Sequence, residues 1–352
     1  MKREITFPSL KDRHWVYLIS FFVIMSLLGL SVVPLLAGFR ITLEDLNNIH
    51  IPWFVICFCV AFLAICLDAW RLKVLLASHS ERLGIGESIK IVLIYAFFSA
   101  MTPTSFGGEF SMAYLLTRQK VPSGTAVSST LTRSLLPLII LLPVFPIATI
   151  LLPGVLPPWL SHYFRLLALF SVIIIAGLIF LRLERRRFGD LLNKKLKGLP
   201  EKGMKRFAWR LIGKVWFFYG EVEIAFRDMV TYGWFNNVLI ILLTIAHLVT
   251  LYSLGPLTAQ VFGLHVPYFK GILTLCMVHL IVYITPTPSG SGVAEAVFSV
   301  AFGHFIETSG FMVVAFWRFF SEYGRVIVGG LFTVLELKKI GREREETSGT
   351  EE

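Results

Sequence analysis

The sequence predicts an all-α polytopic membrane protein, with six full spans plus two re-entrant helical hairpins arranged as an inverted repeat. Three observations carry this. The 352 residues are 55% apolar and only 16% charged, against about 25% charged in soluble domains, and the mean hydropathy is +0.72. That composition excludes a cytosolic enzyme, a disulfide scaffold and a disordered chain. Apolar runs of roughly 20 residues, the length that crosses a bilayer core, recur along the chain. Two further apolar runs are shorter, and each is interrupted by the same Thr-Pro-Thr triplet, at 102–104 and 285–287.

Taken in order, the first span covers 15–37. It follows Lys2 and Arg3, is too long for a signal-peptide core and has no clear small-x-small cleavage site. The second covers 53–77. It holds Cys57, Cys59 and Cys66, which with Cys276 form no CxxC pair and read as small hydrophobes. Asp68 and Arg71, at i and i+3 near its cytoplasmic end, read as a snorkelling pair. The first broken element runs from Ile89 to Met101, then through Thr102-Pro103-Thr104-Ser105-Phe106-Gly107-Gly108-Glu109 to a second short helix ending near Leu116. Full spans follow at 125–151, 163–181 and 233–254. The second broken element runs from Gly271 to Ile284, then through Thr285-Pro286-Thr287-Pro288-Ser289-Gly290-Ser291-Gly292 to a short helix ending near His304. A last span covers 311–337. Each half of a broken element has about 14 residues, or ~21 Å, too short for a ~30 Å core. Proline and glycine at the break remove helix hydrogen bonds, and such backbone survives at membrane depth only where protein or water shields it. Hence the reading as hairpins.

Residues 182–232 form a basic segment, with twelve basic and three acidic residues between 182 and 214. Aromatic Phe207, Trp209, Trp216, Phe217 and Phe218 interleave with Lys205, Arg206, Arg210 and Lys214, the pattern of an interfacial amphipathic helix on anionic lipid headgroups; a plain topology-setting loop fits equally. Nucleic acid is not an expected partner. The acidic stretch 341–352 reads as a disordered tail.

With the N-terminus cytoplasmic, 27 of the 33 basic residues fall inside, a strong positive-inside pattern that places both termini in the cytoplasm. The same assignment exposes the repeat. Residues 10–152 read span, span, hairpin, span, and residues 163–340 read the same order with reversed orientation, all within one membrane domain. In each half the break is followed by glycine, glutamate (Glu109, Glu295) and then arginine in the next span (Arg133, Arg318), 24 and 23 residues on. Inverted repeats whose broken helices meet at the midplane are a transporter design.

An ionisable residue inside a span costs about 2.5–3.5 kcal/mol on insertion scales, so it needs a partner or a task. Arg133 and Arg318 should approach the middle from opposite faces. Glu109 and Glu295 should sit near the N-termini of the second half-helices, where unpaired N–H groups and the dipole favour an anion. With the hydroxyls of Thr104, Ser105, Ser289 and Ser291, and the close approach that Gly107, Gly108, Gly290 and Gly292 permit, such an end can hold a phosphate or carboxylate. A glutamate beside it can cap the helix, pair with arginine or receive a cationic group. Arg318, Glu322 and Arg325 fall at i, i+4 and i+7, one face that should line the interior; a self-satisfied ion-pair network is the competing reading. His247, His279 and His304 read as packing residues or a proton relay. No nucleotide loop, HExxH, GxSxG or cysteine metal motif is present, so no cofactor, metal or catalytic set is expected.

At these residues the chain resembles the lysylphosphatidylglycerol synthase transmembrane-region family, flippase-like integral membrane proteins. The family's first motif, roughly Pro-Gly-Arg-hydrophobic-Gly-Glu, stands here as Pro103-Thr104-Ser105-Phe106-Gly107-Gly108-Glu109, with Ala113-Tyr114-Leu115-Leu116 and then Arg133 following. The second, roughly Pro-Gly-Gly-hydrophobic-Gly-x-x-Glu, stands as Pro288-Ser289-Gly290-Ser291-Gly292-Val293-Ala294-Glu295, with Trp317-Arg318 after it. Trp70-Arg71 with Leu75-Leu76 resembles the end of its second span. The likeness covers about residues 10 to 340. The first motif lacks its arginine, with Thr104 or Ser105 in its place. The resemblance implies translocation of a polar-headed lipid, such as an aminoacylated phospholipid or polyprenyl-linked lipid, across the cytoplasmic membrane. Arg133 and Arg318 would hold phosphate, and Glu109 and Glu295 would hold hydroxyls or an amino group. Lysyl-transferase activity is not expected without the soluble aminoacyl-transfer domain. A lipid-modifying membrane enzyme, and an accessory protein docking a glycosyltransferase through 182–232, are the rival classes; a homo-oligomer is compatible with each.

Overall fold

The computed structural model describes residues 49–102, 106–151, 233–285, 287–306 and 310–348, together with scattered positions between 162 and 176. The span expected at 15–37 and the basic segment 182–232 lie outside the described residues, and the span at 163–181 does so almost entirely. The described chain is helical: α1 (Ile51–Ser78), α2 (Ile85–Met101), α3 (Phe106–Arg118), α4 (Ser123–Leu151), α5 (Trp234–Val261), α6 (Tyr268–Ile284), α7 (Val293–Ile306), α8 (Gly310–Arg318) and α9 (Gly324–Ser348).

Each helix follows from its sequence. Pro52 opens α1, where its fixed φ suits the first turn and its missing N–H costs nothing. The apolar content of α1, α4 and α5 makes all three long and apolar enough to cross a membrane. Large apolar side chains such as Ile51, Val55, Phe58 and Phe62 on α1 and Leu331, Val334 and Leu335 on α9 stand exposed, while Asp68, Arg71, Arg133, Glu295 and Arg318 are buried. That inside-out distribution suits lipid as the surrounding solvent.

α1 and α5 form an antiparallel pair. The His50 N–H donates to the Val261 carbonyl at 2.8 Å, and His247 Nδ1 lies 2.9 Å from the Ala64 carbonyl further along. Helices α2 and α3 form the first broken element, and α6 and α7 the second. In the first, glycine decides the packing. A Cβ on Gly107 would meet Thr102 and the Phe98 carbonyl, and one on Gly108 would meet Ser99 and the Tyr95 carbonyl. Backbone can therefore lie directly on backbone, and α3 folds back along α2. In the second, a 3₁₀ turn at Pro288–Gly290 carries left-handed backbone at Ser289 (φ 49°) and Gly290 (φ 66°), which redirects the chain into α7.

The last long element differs from expectation twice. A π turn at Phe319–Tyr323 separates α8 from α9, so the continuous stripe of Arg318, Glu322 and Arg325 is not a straight α-helical face. The helix also continues to Ser348, through most of the stretch expected to be disordered. Its polar end has charge partners: Arg118 bonds Glu343, and Lys90 Nζ lies 3.1 Å from Glu336 Oε2. One apolar core joins α5, α6, α7 and α8 around stacked Phe298, Phe302 and Trp317, with ring centroids 4.2 Å apart in both contacts of Phe298. A second joins α1, α2 and α3 around Leu72, Ile91, Ile94 and Leu116. The polar site lies between them.

Candidate functional site

The site grows from a few residues on each element. Asp68 and Arg71 share one face of α1 by their i, i+3 spacing, and Arg71 Nη2 donates to Asp68 Oδ1 at 2.6 Å. Both side chains are 3% exposed. The snorkelling pair expected from sequence is thus corrected: these groups are buried in the bundle, because a third residue closes over them. Arg133 of α4 grips the same carboxylate with both of its adjacent nitrogens, Nε to Oδ1 at 3.1 Å and Nη2 to Oδ2 at 2.5 Å. One aspartate therefore serves two arginines.

Tyr95 of α2 stands on the other side of Arg133, whose guanidinium lies 4.1 Å from the ring centroid. The far end of the ring holds Glu109: Tyr95 Oη donates to Glu109 Oε1 at 3.0 Å, and the Ser134 hydroxyl donates to the same oxygen. Glu109 lies in the first turn of α3, as the motif predicts. The break before it is closed by Thr102, whose hydroxyl donates to the Phe98 carbonyl and accepts from the Gly107 N–H, both at 2.9 Å.

The second half solves the same problem differently. Glu295, in the first turn of α7, accepts from the Gly292 N–H at 2.7 Å, from Arg318 Nε at 2.6 Å and from Tyr323 Oη at 3.1 Å. It is 0% exposed. Residues 318 and 323 are five apart and would stand about 140° from each other around an α-helix; the π turn, with its i→i+5 repeat, brings both to one carboxylate. Arg318 Nη2 also donates to the Ser289 carbonyl at 3.1 Å. Glu322 accepts from the Ser289 hydroxyl at 2.8 Å and from Arg325.

These groups surround a cavity of about 320 Å³, room for on the order of ten waters. Of the sequence-predicted site residues, Glu109, Arg133, Ser289, Gly290, Arg318, Glu322 and Arg325 line it. Gly107 and Gly108 pack against α2 instead, while Ser291 and Glu295 are wholly buried behind the wall. Gly292 caps Glu295. Thr104 and Ser105 lie outside the described residues.

Sequence reasoning missed Asp68 and Arg71 as wall residues, and it passed over Tyr95, Ser134 and Thr287. The i, i+3 charge pair on an apolar helix was a usable signal; a tyrosine and a serine in apolar runs carry none. His247 and His279 also line the cavity. His279 is packed between the rings of Tyr252 and Tyr283, with centroids at 5.1 and 5.4 Å. The side chain of His304 lies outside the described residues. Among the described residues, no group of three or more His, Cys, Asp or Glu is placed to hold a metal.

Several polar atoms at the wall have no hydrogen-bond partner among the described residues: Arg71 Nε and Nη1, Glu109 Oε2, Thr287 Oγ1 and Arg325 Nε. Buried polar groups in folded proteins are nearly always bonded to protein or water. Donors and an acceptor left open around one cavity can bind a polar ligand carrying both kinds of partner.

Residues 17–329 match the family model described as the lysylphosphatidylglycerol synthase TM region. No curated protein matches the chain. The match spans most of the 352 residues, and the chain belongs to that family. It is a multi-pass membrane protein whose domain is of the kind associated with lipid-related membrane function.

Proposed function

We propose, from that membership and from the cavity, that the chain translocates a polar-headed lipid, such as an aminoacylated phospholipid or polyprenyl-linked lipid, across the cytoplasmic membrane. The single observation that carries the reading is the charged cavity between the two broken helices, lined from both halves of an otherwise apolar bundle. Four arginines and three carboxylates face it, in a setting where each buried charge is costly unless used. A head group would occupy it while the acyl or prenyl chains remain in lipid. Six spans with two hairpins entering from opposite faces, both termini cytoplasmic, would let one repeat rock against the other and open the cavity to alternate leaflets.

In this reading the substrate meets Thr104, Ser105 and Glu109 from the first break and Ser289 and Gly290 from the second, with the buried Ser291 behind them. Gly107, Gly108 and Gly292 shape the breaks, Arg133 and Arg318 set the field, and Glu295, Glu322 and Arg325 hold the far wall. Two measurements test it. Proteoliposomes holding the purified protein and a head-labelled phospholipid should exchange label between leaflets faster than empty vesicles; equal rates for wild type, Glu109→Gln and Arg318→Ala would remove the site assignment. Single cysteines at Ser105 and Ser289 should react with impermeant reagents from opposite faces of the membrane. Reaction from one shared face would end the inverted-repeat topology.

A further inference from the structure

The charges around the cavity do not cancel in place. Glu295 neutralises Arg318, and Glu322 neutralises Arg325. Asp68 alone serves both Arg71 and Arg133, so this triplet carries one positive charge in excess. Glu109 has two hydroxyl partners but, among the described residues, no ion-pair partner. The two excess charges would close on each other if they could reach. Tyr95 prevents this: its ring face carries Arg133, and its hydroxyl, at the opposite end of the ring, carries Glu109. Three of the five open wall atoms fall on the same two groups, the others being Thr287 Oγ1 and Arg325 Nε. Arg71 keeps Nε and Nη1 free on the positive side, although its side chain is only 3% exposed, and Glu109 keeps Oε2 free on the negative side. Both residues line the same cavity, with these atoms buried in its wall.

We infer that the cavity is a paired seat for a phosphodiester that carries a hydrogen-bond donor, an ammonium or a hydroxyl, a few bonds away. The phosphate sits against Arg71 of the Asp68–Arg71–Arg133 triplet, and the donor sits against Glu109 Oε2. Tyr95 is a positioning residue that keeps the two poles apart. The assignment rests on the lipid-transport reading for its biological sense, but its chemistry stands on these contacts alone. It moves the phosphate from Arg133 and Arg318, whose adjacent nitrogens are held by carboxylate and carbonyl oxygens, to Arg71.

The test is calorimetric titration of the purified full-length protein in detergent. Four probes are used: glycerophosphoethanolamine, dioctanoyl phosphatidylethanolamine, inorganic phosphate and ethanolamine. Wild type should bind the first two at least about tenfold more tightly than either phosphate or ethanolamine, since only they fill both poles. Equal affinity for the soluble head group and the lipid assigns the site to the head; tighter lipid binding adds the chains, and both outcomes support the seat. Arg71→Gln should weaken both phosphodiesters about tenfold or more, with Arg71→Lys recovering part of the loss. Glu109→Gln should weaken the phosphodiesters about tenfold while leaving inorganic phosphate within about twofold. Tyr95→Leu should lose the preference for two-pole probes, because Glu109 then closes onto Arg133.

Melting temperatures identify variants that fail to fold, and Arg71→Lys and Glu109→Gln, which keep size and polarity, carry the test if Arg71→Gln is one of them. A wild type that binds no probe, or binds phosphate as well as the phosphodiesters, overturns the inference, as does an Arg71→Gln protein that binds normally. Binding without transfer between leaflets would instead sink the transport reading and leave the seat intact; transfer that Arg71→Gln does not slow would do the reverse.

Discussion

Asp68 is the residue on which the positive side of the cavity depends. Its two oxygens accept from Arg71 and from both adjacent nitrogens of Arg133, and it is 2% exposed. Asp68→Asn leaves two buried guanidinium groups facing one neutral amide. Removing one partner of a buried pair costs about 3–5 kcal/mol, so this variant should show a large fall in melting temperature in detergent. Glu109→Gln should cost less than about 1 kcal/mol, because an amide oxygen can still accept from Tyr95 and Ser134. Similar losses for the two would show that Glu109 is bound more tightly than its contacts imply. Glu295 resembles Asp68 rather than Glu109, since it too is held by an arginine. Glu295→Gln should be strongly destabilising, and combining it with Arg318→Met should recover part of the loss, since removing the guanidinium leaves no uncompensated charge. A double variant no more stable than Glu295→Gln would refute the pairing.

At the scale of the element, the breaks are shaped by glycines with separate tasks. A Cβ on Gly108 would lie 2.9 Å from the Tyr95 carbonyl oxygen and would run into the Ser99 hydroxyl. Gly108→Ala must therefore push α3 off α2, at about 1–3 kcal/mol for overpacking, and carry Glu109 away from Tyr95. Gly290 and Gly292 both have positive φ, at 66° and 86°, but only Gly290 is crowded, by Val282. Gly292→Ala should cost about 1–2 kcal/mol from backbone conformation alone, and Gly290→Ala should cost more. Thermal unfolding of the two variants measures the difference, and the reverse order would mean that the crowding at Val282 is relieved without cost. The π turn is the other local device. It puts Tyr323 beside Arg318 at Glu295 and leaves Glu322 to Ser289 and Arg325, an allocation that an unbroken helix would not allow.

Across the whole molecule, the first hairpin is joined to the last helix twice. Backbone meets backbone where Gly329 of α9 lies against the Leu93 carbonyl of α2. Charge meets charge at the ends, where Lys90 and Arg118 share Glu336 and Arg118 also reaches Glu343. The charged links are partly exposed, so each is worth at most about 1 kcal/mol and is weakened by salt. Glu336→Gln should lower the melting temperature slightly at low ionic strength and have no effect at high ionic strength; a loss that persists in salt would mean the link is less exposed than it stands here. Gly329→Ala should act at any ionic strength, since it separates α9 from α2 by steric contact.

The sequence by itself determined the class and the order of parts. Apolar runs longer than a bilayer core, two runs cut by Thr-Pro-Thr, and glutamates just past the glycines are local properties, written in composition and spacing. They sufficed for α1, α2, α3, α4, α6 and α7 within a few residues of their bounds and for Glu109 and Glu295 in first turns, but they ended α5 too early and read α8, the π turn and α9 as one uninterrupted span. The sequence did not reveal partnership. Asp68 and Arg133 are 65 residues apart, and whether Asp68 snorkels to the surface or is gripped in the bundle depends on how α4 packs on α1. The π turn, the helical stretch beyond 341 and the place of Tyr95 between two opposite charges were likewise decided by packing. Inside an apolar bundle a charge goes where a compensating group can be brought to it, and that is fixed only when distant helices have met.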